Sequence, residues 1–94
     1  MEKKETILLQ FGGKLHIVAT FDEVITSVSF SGDFAFSPSE AQGHLEQLLR
    51  YQPLDKELLT YMIDSFIKQN DVSLQKVTVS ELVEGLFACG KVNY

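Results

Sequence analysis

Ninety-four residues and 10.6 kDa leave room for one domain of ordinary size and exclude two. A 45% hydrophobic composition with seven Phe and three Tyr supplies a core and excludes general disorder. Eight basic residues against thirteen acidic ones give a net charge of −5 with no basic patch, which excludes nucleic acid and an anionic membrane as default partners.

The first six residues mix charges and lead into an apolar run of only three, Ile7 to Leu9. That pattern is neither a signal peptide nor a membrane span, so a cytoplasmic protein is expected. Ile7, Leu9 and Phe11 then alternate with polar or outward positions, and Gly12-Gly13 supplies a tight reversal. Leu15, Ile17, Ala19 and Phe21 share one face of a second run, with His16, Val18 and Thr20 on the other. After Asp22-Glu23, a third run sets Val24, Thr26, Val28 and Phe30 against Ile25, Ser27, Ser29 and Ser31. The serine face reads as solvent-facing and the Val/Phe face as covered.

At Ser37 the period becomes helical. Ser37-Pro38-Ser39-Glu40 combines a capping Ser, a Pro suited to the first turn and a Glu placed for a capping box. Ala41, Leu45, Leu48 and Leu49 share a face of the helix that follows, and Pro53 ends it or lies soon after. Asp55 caps a second predicted helix with the stripe Leu58, Leu59, Met62, Ile63, Phe66 and Ile67, ending at Asn70-Asp71. Residues 71–77 fit either an edge strand or a packed loop. Thr78-Val79-Ser80-Glu81 is a second capping-box pattern, and Gly90 is a candidate C-terminal cap. The expectation is a single α+β domain over 1–94. A three-stranded antiparallel meander at about 5–31 precedes three helices, at about 38–50, 55–69 and 79–89, packed on one face of the sheet.

Chemistry-bearing residues are few. His16 and His44 form no close ligand pair, so no metal site is expected. Asp22-Glu23 and Glu81/Glu84 read as a turn and a solvated helix face. Gly12-Gly13 precedes a strand and lacks the Lys-Ser/Thr of a phosphate loop. Cys89 stands alone among apolar neighbours, with no local base to make a thiolate. No catalytic residue is assigned.

The connector Ser31-Gly32-Asp33-Phe34-Ala35-Phe36-Ser37-Pro38 is the exception. Gly32 permits a conformation or close approach that a side chain would block. Asp33 can shape a turn through neighbouring amides. Phe34 and Phe36 are two aromatics in a connector, which either cap the core or mark a binding surface.

Taken in order, Gly12-Gly13-Lys14-Leu15, the strand Ile25 to Phe30, Ser31-Gly32-Asp33-Phe34 and Pro38-Ser39-Glu40 resemble the accessory domain of lipoate–protein ligases. The resemblance runs to the capped helix from Thr78 and covers most of the chain. Its pattern is a G-G-K-L turn and an I-x-x-V-x-I-x-G-D-F-F strand that feeds a proline-started helix. Ala35 replaces the second Phe of that pattern, with Phe36 one residue later, and Asp22-Glu23 lacks a usual turn glycine.

The resemblance implies an accessory subunit, not a complete ligase; the short chain opening on Met resembles the separately encoded form. Its partner would be a larger catalytic chain holding lipoate, ATP and Mg, with no cofactor on the small chain itself. That pair would activate lipoate to lipoyl-adenylate and pass the lipoyl group to a lysine of lipoyl-domain acceptor proteins. Gly32, Asp33, Phe34 and Phe36 are then the expected partner- or ligand-facing segment, with Lys14 as a charge contact near phosphate. Two other readings stay open: a sulfur-acceptor or iron–sulfur scaffold relative, and an adaptor for an unrelated protein.

Overall fold

A computed structural model describes residues 2–90 of the chain. Three strands, β1 (Glu2–Leu8), β2 (Lys14–Asp22) and β3 (Val24–Gly32), form an antiparallel sheet in the order β1-β2-β3. Two three-residue strands, β4 (Ala35–Ser37) and β5 (Ser73–Gln75), form a separate antiparallel ribbon. The helices are α1 (Ala41–Leu48), α2 (Lys56–Gln69) and α3 (Val79–Gly90). Helix α3 lies against β1 and β2, α1 lies against β3 and β4, and α2 packs on α3.

Period two in β2 does what its pattern demands. Leu15, Ile17 and Ala19 are buried, and across the ladder they face Gly32, Phe30 and Val28 of β3. These side chains join Leu45, Leu49, Leu59, Ile63, Leu82, Val83 and Leu86 from the helices in one core. The opposite face, with His16, Ser29 and Ser31, is exposed.

The alternation expected of β3 fails at its start. The register shifts between Thr20 and Phe21, so two residues, Thr26 and Ser27, oppose Thr20 and hydrogen-bond its hydroxyl at 2.5 and 2.7 Å. The extra residue inverts the side-chain parity. Ile25 is therefore fully buried opposite Phe21, while Val24 and Thr26 are only half-buried. Between the strands, Glu23 alone makes the turn at φ +67°, the left-handed region where glycine costs least.

The outer edge of β3 is closed by α1 and the chain after it. Phe30 N–H donates to the Glu46 carboxylate at 2.8 Å, and Gln42 Nε2 donates to the Phe30 carbonyl at 2.5 Å. Arg50 Nε donates to the Thr26 carbonyl at 3.2 Å. Ile25 exchanges backbone bonds with Tyr51 and Gln52. Such cover removes a ready template for unwanted strand pairing.

The helix ends divide into two kinds. Asp55 caps α2 by accepting from Glu57 N and Leu58 N. Thr78 and Glu81 form a reciprocal capping box: Thr78 Oγ1 accepts from Glu81 N at 3.1 Å, and Glu81 Oε1 accepts from Thr78 N at 3.0 Å. The box expected at Ser37–Glu40 does not form. Ser37 belongs to β4 opposite Ser73, and α1 starts at Ala41 without a side-chain cap. Gly90 likewise is no left-handed cap but the last described turn of α3, where a Cβ would come within 2.4 Å of Leu54 Cδ2.

Candidate functional site

The two segments singled out in the sequence, the Gly12-Gly13-Lys14 turn and the Gly32-to-Phe36 connector, touch. The ladder between β2 and β3 ends at the pair Leu15–Gly32, where the chain leaves the sheet for β4. Asp33 N–H still donates to the Lys14 carbonyl at 2.9 Å. Its carboxylate then accepts from Lys14 N–H, also at 2.9 Å, standing in for the backbone carbonyl the ladder no longer offers.

Glycine is required on both sides of this junction. Gly32 sits at φ +134°, and a Cβ there would lie 2.1 Å from the Lys14 carbonyl oxygen. Gly13 sits at φ +89°, and a Cβ there would lie 2.4 Å from Asp33 Cβ. At Gly32 backbone therefore meets backbone, and at Gly13 backbone meets the Asp33 side chain, so neither position has room for a side chain of its own.

The other side of the hairpin is held as well. Leu9 N–H donates to the Gly13 carbonyl and Gly12 N–H to the Leu9 carbonyl, each at 3.0 Å. Gln10 N–H donates to Glu81 Oε2 at 2.7 Å. Glu81 thus uses one carboxylate oxygen for its helix cap and the other for the hairpin. Glu81→Ala is expected to cost about 2–3 kcal/mol in urea denaturation, the sum of a lost cap and a lost charge-assisted bond. Glu81→Gln, with one acceptor oxygen, should fall between the two; an unchanged midpoint for the alanine variant would remove the hairpin anchor from consideration.

The aromatic pair has a definite place. Phe36 is buried, Phe34 is half-buried against the core, and their rings meet edge-on at 5.9 Å. Phe36 can shape a partner surface only through the backbone it anchors. Asp33 and the Lys14 side chain are exposed. Gly32, Asp33, Phe34 and Ala35 line a shallow depression of about 330 Å³ together with Gln75 and Lys76 of the β5 end. Lys76, which the sequence did not mark, stands there at φ +66°. Also unmarked were Leu8 and Phe11, which flank the hairpin turn at 78% and 63% exposure.

The remaining candidates lie apart. His16 faces solvent on the open sheet with Nδ1 2.9 Å from the Thr6 hydroxyl, and His44 is exposed on α1. Among the described residues no cluster of three His, Cys, Asp or Glu is placed to hold a metal ion, and no helix is long and apolar enough to cross a membrane. Cys89 is buried; burial first and the Glu5 carboxylate second push its thiol up, away from the reactive thiolate. A groove of about 390 Å³ between α2 and α3 carries Tyr61 on its rim; of its charged members, Lys56 and Glu84 pair with each other at 2.7 Å and Asp64 pairs with Lys68 at 2.9 Å.

No protein-family model matches the sequence, nor does any curated protein. The fold does match a solved structure: a chain from an archaeal lipoylation system, described as a bipartite lipoate protein ligase and its E2 lipoyl domain from Thermoplasma acidophilum. The TM-score is 0.78 at 23% identity, over 92% of this chain and 94% of that one. The two chains are therefore nearly co-extensive, and the likeness establishes a common fold.

Proposed function

We propose that this chain is the non-catalytic accessory subunit of a two-chain lipoate–protein ligase. It acts with a larger catalytic chain that holds lipoate, ATP and Mg, activates lipoate to lipoyl-adenylate, and then transfers the lipoyl group to a lysine of lipoyl-domain proteins. The pair works in the cytoplasm. The observation that supports this reading is the fold shared along nearly the whole chain with a component of an archaeal lipoylation system. The G-G-K-L turn and G-D-F connector that resemble the accessory domain are the same two segments that the structure locks together.

An acyl-adenylate is readily hydrolysed, so an accessory domain contributes by helping its partner close over the intermediate and exclude water. Such a part needs a rigid surface rather than a nucleophile. The junction at Lys14 and Asp33 supplies rigidity, and the raised thiol of Cys89 speaks against sulfur-acceptor chemistry.

Reconstitution tests the reading. The large ligase chain of the same organism, assayed for lipoyl-adenylate by hydroxylamine trapping, should gain at least tenfold when this chain is added in equal amount. This chain alone should form none. Equal adenylation without it would end the proposal. Lipoylation of a lysine on this chain itself, seen by mass spectrometry, would assign it the acceptor role in such a system instead.

A further inference from the structure

We propose that the tip of the β1–β2 hairpin is the docking element for the larger ligase chain, with Leu8 and Phe11 as apolar anchors and Lys14 as their cationic flank. This inference rests on the accessory-subunit reading and says where on the chain that role is performed. Among the large apolar side chains exposed in the described residues, Leu8 and Phe11 flank one hairpin turn, and Leu9, between these two in sequence, is buried. Leu8 and Phe11 point away from it at 78% and 63% exposure.

A mobile tip would lose much of any contact energy to ordering, whereas a fixed one does not. This tip is fixed from three directions. Two backbone bonds close the turn, Asp33 holds Lys14 N–H from the connector, and Glu81 holds Gln10 N–H from α3. The anchors are thus presented on a rigid support, the arrangement found at the energetic centre of interfaces.

Charge specifies the face that fits. The protein is acidic overall, yet both carboxylates at the tip are engaged with backbone amides. The ion pairs among the described residues, Lys56–Glu84 and Lys68–Asp64, lie on the helices, so the Lys14 ammonium has no ionic partner. Lys76 adds a second cation beside the Asp33 depression. An apolar tip with a cationic border complements a hydrophobic recess bordered by carboxylate on the large chain, and it is repelled by a basic one.

The test is binding of the large ligase chain to the full small chain, read by calorimetry alongside lipoyl-adenylate formation. The double variant Leu8→Ser/Phe11→Ser should weaken binding about 100-fold with an unchanged melting temperature, since both positions are exposed. Lys14→Ala should weaken it about tenfold at low salt and less at high salt. Tyr61→Ser, on the α2–α3 groove, should leave it unaltered. If wild type binds and stimulates while the double variant binds within threefold of it, the docking assignment falls and the accessory role stands. If wild type neither binds nor stimulates, both fall. A self-dimer of this chain that the double variant abolishes would also overturn the assignment, giving the tip to a second copy.

Discussion

Gly32→Ala is expected to cost roughly 3 kcal/mol, combining a backbone conformation closed to side chains with a steric overlap that only strand movement can relieve. The new methyl would sit 2.1 Å from the Lys14 carbonyl oxygen and 3.3 Å from Leu15 Cα, at a φ of +134°. Its relief would pull β3 from β2 at the point where Asp33 N–H meets the same Lys14 oxygen. For a domain this size that free energy is a fall of about 10–20 °C in melting temperature. Stimulation of the large chain, measured at a temperature where the variant is still folded, should fall as well, because the hairpin loses its Asp33 support. A melting temperature within 2 °C of wild type would show that the junction is not the tight contact described.

The parts of this fold that were legible in the sequence are those whose cause is local. The box at Thr78–Glu81 and the cap at Asp55 each need only three or four consecutive residues, and both form. The same four-residue pattern at Ser37–Glu40 fails because a distant segment competes: Ser73–Gln75 pairs with Ala35–Ser37 and takes Ser37 into a strand. No three-residue strand carries a readable period, which is why the sequence of residues 71–77 fits an edge strand and a packed loop alike. In β3 a single inserted residue reverses the burial of Ile25 and Val24, and nothing in the alternation announces a bulge.

The candidate site shows the same division. Glycines followed by Lys14, and Gly32 followed by Asp33, were conspicuous as composition. Their mutual contact spans 19 positions and is invisible to periodicity. Period two puts Phe11 on a strand face with Ile7 and Leu9, but β1 ends at Leu8 and the turn carries Phe11 outward. Period two already turns Leu8 outward and Leu9 inward; the exposure of Phe11 is the tertiary fact, at a tip bonded to Glu81 on α3 and Asp33 on the connector.

Phe36→Ala should be the most destabilising change within the connector, at about 3–5 kcal/mol in denaturant unfolding, because the ring is almost wholly removed from solvent. That approaches the whole stability of a small domain, so the variant will be partly unfolded at 37 °C. Phe34→Ala, half-buried, should cost about 1–2 kcal/mol. The edge-on contact of 5.9 Å predicts a coupling of about 1 kcal/mol in the double-mutant cycle. Phe36→Leu should recover most of the loss, which a role in direct partner contact would not allow. The two kinds of residue in the junction then separate by assay. Phe36→Ala should lower stimulation of the large chain only in proportion to its unfolded fraction, whereas Lys14→Ala should lower it with the fold intact. A Phe36→Ala protein that is fully folded yet inactive would move the ring from support to contact, and with it the docking face from the hairpin tip to the connector.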